Sequence, residues 1–156
     1  MIIKVSRSMT EEQRSQIVDL LEQGGLPVND LSQVDWLELL VWQESKQIRA
    51  VGGLQRCGDS VLLRSIATDP DYRGKGIASS LINQLHLLAR DNHFEEVYLL
   101  TTDAESYFRG NSNNKGSKTS LDYQPIEREY APASIKQSSQ FSELCPASAI
   151  LMKKRL

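Results

Sequence analysis

Apolar and polar positions alternate between two periods along this chain. The opening MIIKVS predicts a short strand, and the next segment, MTEEQRSQIVDLLEQGG, shifts to helical spacing with Ile17, Leu20 and Leu21 on one face. Thr10 stands where an N-cap is needed, Gln13 completes a capping box and Gly24 supplies the stop. LPVNDLSQV reads as a connector with room for one helical turn. WLELLVWQES and KQIRAVGGLQR then predict two strands joined by a turn at Ser45 and Lys46, and SVLLRSIAT a third after the turn at Cys57, Gly58 and Asp59.

From Gly76 the period lengthens again. Ile77, Leu81, Leu85 and Leu88 form one apolar stripe, which predicts a helix of about four turns ending at Asn92 and His93. EEVYLLTTD reads as a buried strand and DAESYFR as a short helix capped by Asp103. LDYQPIE and ASAILMKKRL predict two last strands, separated by a segment with space for a helical turn or two. Between Gly110 and Ser120 the chain is almost free of apolar residues, which predicts a mobile loop.

Composition narrows the class. A chain of 156 residues suits one domain, residues 1–156, and a net charge of −2 gives no field that would gather nucleic acid. No apolar run approaches the roughly 18 residues of a membrane span, and the N-terminus has no signal-peptide core, so a cytoplasmic protein without nucleic-acid or membrane partners is expected. The two cysteines, Cys57 and Cys145, form no paired motif, so neither a metal site nor a disulfide is expected.

The chemistry concentrates where a strand runs through Asp69-Pro70-Asp71-Tyr72-Arg73-Gly74-Lys75-Gly76 into the long helix. Unpaired amides at the positive end of a helix dipole, two glycines and two cations make an anion site suited to pyrophosphate. A Walker loop is excluded because no G-x-x-x-x-G-K-[ST] occurs. GKGIAS resembles a dinucleotide fingerprint, but several strands precede it and Glu95 lies before, not after, the next strand.

The third pattern, [QR]-x-x-G-x-[GA], is met by Arg73, Gly76 and Ala78, and the order of predicted elements around it resembles the GCN5-related N-acetyltransferase (GNAT) superfamily over nearly the whole chain. FSELCPASAILMKK resembles the branch of arsenic-resistance and amino-acid N-acetyltransferases. The resemblance implies an α/β (α+β) fold with a mixed, mostly antiparallel, splayed sheet and helices on both faces. It implies acetyl-CoA as co-substrate, without metal, and an acetyl transfer to the amine of a small molecule, an amino acid or amino-acid-like toxin. A homodimer is compatible with it.

The resemblance also implies that Ile66, Ala67 and Thr68 bond the pantetheine arm through their backbone, as an added strand would. Arg73, Gly74, Lys75, Gly76, Ile77, Ala78 and Ser79 would cradle the pyrophosphate. Relatives place a general-acid tyrosine in the short helix after TT; here Phe108 stands at that place, with Tyr107 beside it as the candidate acid. Arg64, alternating with Leu62 and Ile66, is a candidate for a bidentate grip on a substrate carboxylate or else a structural ion pair. Cys145 is a candidate lining residue of the acceptor cleft or a small buried hydrophobe. His86, expected near the polar side of its helix, and His93 are poor catalytic candidates. Trp36, Trp42, Tyr72 and Tyr98 are expected to pack the sheet, with Trp36 within possible reach of the acceptor. A non-catalytic acetyl-CoA-binding or protein-interaction module is the alternative, favoured by Phe108 and the polar segment.

Overall fold

The computed structural model describes residues 1–110, 121–144 and 148–156. Its strands are β1 (Ile2–Lys4), β2 (Trp36–Glu44), β3 (Gln47–Cys57), β4 (Ser60–Thr68), β5 (Glu96–Thr101), β6 (Gln124–Ile126) and β7 (Ile150–Arg155). They form one sheet in the order β1-β2-β3-β4-β5-β7-β6, in which only the β4–β5 pair is parallel. This is the mixed, mostly antiparallel sheet the sequence led us to expect. The polar segment 111–120 and Cys145 lie outside the described residues.

Local signals account for most element boundaries. Helix α1 (Glu11–Gln23) starts on a complete capping box, the Gln13 amide donating to Thr10 Oγ1 at 3.1 Å and the Thr10 amide to Gln13 Oε1 at 3.0 Å. Ser45 and Lys46 both take positive φ, 49° and 66°, as a two-residue hairpin turn between β2 and β3 requires. Helix α2 (Ile77–Asp91) ends at Asn92, with His93 at φ 67°. The short α3 (Glu105–Arg109) differs from expectation: Asp103 is not its cap. Ala104 stands at that position, and its amide is taken instead by Thr101 Oγ1 at 3.0 Å. The segment before β7 contains a 3-10 turn (Arg128–Tyr130), helix α4 (Ala133–Lys136) and a π turn (Gln140–Leu144).

The helices cover both faces. On one, Leu81, Ile82, Leu85 and Ala89 of α2 pack on Leu40, Leu54, Val61, Leu63, Val97, Leu99 and Met152. On the other, Ile17, Leu20 and Leu21 of α1 cover Leu39, Val41 and Val51, while Ile135 of α4 packs on Leu62, Tyr98, Leu100 and Leu151. Fully burying such a side chain contributes about 2 kcal/mol. His86 belongs to the α2 core as well. It is buried rather than on the polar side, because its Nε2 meets the buried Tyr123 hydroxyl at 2.7 Å.

Two irregularities position the site. Strands β4 and β5 are in register only at Val61–Val97 and Leu62–Tyr98; beyond them the strands part, and the β5-facing edge of β4 is left without a strand partner. Between Val51–Ala67 and Gly53–Arg64, β4 carries one residue more than β3, a bulge in which Ser65 takes φ 59°. The extra residue reverses the alternation, so Ile66 does not share a face with Arg64. Ile66 packs against the α2 core, its Cδ1 2.9 Å from where a Cβ on Gly52 would stand.

Candidate active site

A cleft of about 580 Å³ occupies the gap where β4 and β5 part. One wall is the end of β4, from Leu63 through Ser65 and Ile66 to Thr68, and the facing wall is Leu99, Leu100 and Thr101 of β5. The cleft passes through the sheet. The start of α2 and Tyr107 border it on one side, and Gly24, Leu26, Arg64 and Gln140 border it on the side covered by α1 and α4.

The loop before α2 has the conformation an anion site needs. Gly74 and Gly76 both stand at φ 78°, and a Cβ built on either would meet nothing within 4 Å, so the space above the main chain is open. Gly76 is the N-cap and offers no side-chain hydrogen bond. The helical ladder begins with the Ser80 amide donating to the Gly76 carbonyl at 3.0 Å, so the amides of Ile77, Ala78 and Ser79 precede it. Their dipoles point outward from a helix of 15 residues. Arg73 is tied back to the strand by its Nε donating to the Thr68 carbonyl at 3.4 Å. Two cations flank the Tyr72 ring, Lys75 Nζ at 4.9 Å and the Arg49 guanidinium at 4.8 Å from its centroid. Arg49 also pairs with Asp69 at 3.0 Å, and that bond, resisted by desolvation, raises its pKa.

Among the residues singled out for this loop, Ile66, Thr68, Arg73, Gly74, Gly76, Ile77, Ala78 and Ser79 line the cleft. Ala67 and Lys75 do not: Ala67 packs against the α1 core, and the Lys75 ammonium turns over Tyr72.

Tyr107 and Phe108 divide the roles open to them. Phe108 is buried against Tyr123, ring centroids 5.6 Å apart. Tyr107 is 43% exposed, and its hydroxyl lies 2.8 Å from Ser79 Oγ in the first turn of α2, at the cleft wall. Burial raises the Tyr107 phenol above its ordinary pKa, against a smaller opposite pull from Ser79, so it carries its proton at neutral pH.

Arg64 requires a correction. Its side chain is 1% exposed, and NH1 and NH2 each donate to Asp30 at 2.7 Å, with Gln55 Oε1 accepting from NH1 at 3.0 Å. The bidentate edge is occupied, so Arg64 has no fork left for a substrate carboxylate. Burial by itself would raise the Asp30 carboxyl, but hydrogen bonds from Arg64 and Ser139 and the Arg64 charge outweigh it and hold the group below its ordinary value. Trp36 lies outside the cleft, its indole N–H donating to the Leu31 carbonyl at 3.3 Å and its ring 5.6 Å from the Arg64 guanidinium. Cys57 is a buried thiol pushed up to about 11 by desolvation, and is inert at neutral pH. Among the described residues no cluster of acidic, histidine or cysteine side chains could hold a metal ion, and no helix is long and apolar enough to cross a membrane.

Asp30, Gly24, Leu26 and Gln140 were not legible as site residues. Each enters from a segment whose pairing with β4 is set by the tertiary fold, and only the Gly24-Gly25 pair gave even a turn signal.

A seven-stranded mixed sheet split between its parallel strands, with an uncapped, glycine-led helix N-terminus at the split, defines an acyltransferase-like architecture. Comparison with solved structures agrees. A GNAT-family acetyltransferase from Staphylococcus aureus Mu50 superposes with a TM-score of 0.71 at 20% identity, covering 100% of this chain and 98% of that one. The N-acetylglutamate synthase from Neisseria gonorrhoeae, complexed with coenzyme A and N-acetyl-glutamate, gives 0.70 at 14% identity, over 100% of this chain and 35% of that chain. The ribosomal-protein-S18-alanine N-acetyltransferase from Escherichia coli gives 0.64 at 16%, over 99% and 94%. At these identities the likeness is one of fold. No curated protein matches the sequence. Residues 35–111, just under half of the chain, match the family model of the acetyltransferase (GNAT) domain.

Proposed function

We propose that the protein is an acetyl-CoA-dependent N-acetyltransferase acting on the amine of a small molecule, an amino acid or amino-acid-like toxin. The observation that carries this reading is the cleft between β4 and β5, with the open N-terminus of α2 at one side and Gly24, Leu26 and Gln140 lining it at the other. Two substrates can enter from opposite faces and meet between β4 and β5. The first-turn amides of α2, with Gly74 and Gly76, fit a pyrophosphate; the unpaired edge of β4 fits the amide-bearing arm that joins it to the thioester. Neighbouring structures of the same fold hold coenzyme A, and one holds an acetylated amino acid, which supports the choice of co-substrate and of acceptor class.

Positioning supplies most of the catalysis this chemistry needs. The neutral amine nitrogen forms a bond to the thioester carbonyl carbon, and the C–S bond then breaks. The nitrogen releases its proton to solvent, and the departing thiolate takes one from the Tyr107 phenol, which is reprotonated from solvent. An α-amine, with a pKa of about 8, is neutral often enough at pH 7 to need no strong base. The Tyr107 hydroxyl at the cleft wall favours an enzyme over a binding module, because the buried Phe108 next to it no longer stands for a missing acid.

The experiment is a calorimetric titration with acetyl-CoA, NAD as control, on the wild type and Gly76→Asp. Binding of acetyl-CoA alone, lost in the variant because a carboxylate at φ 78° faces the pyrophosphate position, is the expected result. Equal affinity in both proteins would remove the loop from the site. No binding to the wild type would overturn the reading.

A further inference from the structure

We infer that Gln140 determines acceptor specificity, its side-chain oxygen taking an N–H of the incoming amino acid's amine. The inference rests on the transferase reading above and deepens it. Gln140 is 5% exposed and lines the cleft, yet its Oε1 has no hydrogen-bond partner. A buried acceptor in this condition is uncommon, since folded proteins pair nearly all of them, and on a cleft wall the missing partner is a ligand donor. Among the described residues two other buried side-chain polar atoms are unpaired, Trp42 Nε1 and Arg49 Nε, but both are donors and neither residue lines the cleft.

The surroundings select the kind of group that fits. Arg64 is committed to Asp30, and the Ser139 hydroxyl donates to Asp30 Oδ2 at 2.6 Å. The ion pair beside Gln140 is therefore internally neutralised and offers no free cation for an anionic group. An unpaired carbonyl oxygen on the wall of a cleft that apolar Leu26 and Leu100 also line suits a donor, an amine or ammonium N–H. The same bonds fix the segment that carries Gln140. Ser139 precedes Gln140 and is anchored through Asp30 to β4, while Ser138 Oγ accepts from the Phe141 amide at 3.3 Å. The backbone of Gln140 is thereby held from both sides.

The test uses the full chain, wild type, Gln140→Leu and Gln140→Glu, with each proteinogenic L-amino acid supplied singly and release of free thiol from acetyl-CoA as readout. Circular dichroism and acetyl-CoA calorimetry accompany each variant. For an amino acid turned over by the wild type, Gln140→Leu should raise KM about tenfold or more, the loss of one hydrogen bond to a charged donor, with acetyl-CoA affinity unchanged. Gln140→Glu, which keeps an acceptor oxygen, should restore the wild-type KM or lower it. An unchanged KM in Gln140→Leu overturns the inference, and so does a KM raised equally by both variants. Binding of acetyl-CoA by a wild type that acetylates no amino acid also overturns it, while leaving transfer to other amines standing. Failure to bind acetyl-CoA would instead sink the transferase reading itself.

Discussion

Tyr107 and Phe108 are adjacent in the chain and end in opposite surroundings, because successive residues of a helix point about 100° apart. Alignment by motif put Phe108 in the place of the acid, and the sequence alone gave no means of seeing that the neighbour would turn its hydroxyl onto Ser79 at 2.8 Å. The consequence is a prediction for one atom. Tyr107→Phe should lower kcat by about 10²- to 10⁴-fold, the usual contribution of a general acid, while leaving acetyl-CoA affinity and the melting temperature nearly unchanged. Steady-state kinetics beside calorimetry checks it. A raised phenol pKa also means that the proton stays available through neutral and mildly alkaline pH, so no alkaline loss of rate should trace to this group below about pH 10. Equal kcat in the variant would leave the thiolate to solvent and return Tyr107 to a packing role.

Elements governed by neighbours in sequence were legible, and those governed by distant partners were not. The Thr10–Gln13 box, the Ser45–Lys46 hairpin and the stripe of α2 are local devices, and each stands where the pattern put it. The bulge at Ser65 left no composition signal, since it reflects how β4 pairs with β3, and it moved Ile66 to the face opposite Arg64. The same holds for Asp30, which lies 34 residues from Arg64 and binds a strand, a connector and the Ser139 segment into one contact. Asp30→Asn should expose that arrangement. It leaves a buried guanidinium without its counter-charge, which costs about 3 kcal/mol or more and should lower the melting temperature by several degrees in a scanning calorimeter. Loss of under about 1 kcal/mol would mean that the pair is solvated in solution.

At the scale of the whole molecule, acid stability divides into two windows. Burial, with smaller contributions from Lys154 and Arg90, lowers the His86 pKa from 6.5 to about 4, so the folded protein holds a neutral imidazole to which the Tyr123 phenol can donate. The unfolded chain binds a proton here at a higher pH than the folded one, so stability falls as pH drops from about 6.5 to about 4 and levels off below. Those two and a half units correspond to about 3 kcal/mol. The Asp30 carboxyl acts with the opposite charge. Its lowered pKa gives stability that is present above its ordinary value near 3.8 and is lost only as pH falls further. Thermal melts at about pH 7 and about pH 4.5 should therefore differ in the wild type and much less in His86→Gln. An identical slope in that variant would assign the first window to another group.

The parting of β4 from β5 has a further consequence, for how such a molecule can change over time. The wall proposed to hold the cofactor is largely an edge of peptide groups and a helix terminus, and peptide groups survive the replacement of almost every side chain around them. The wall proposed to hold the acceptor is made of side chains, Leu26 and Gln140 among them, either of which one substitution can remove. Sequences as far apart as 14 to 20% identity keep this backbone. Drift can thus rewrite the side chains of one wall while the peptide groups of the other are inherited with the fold.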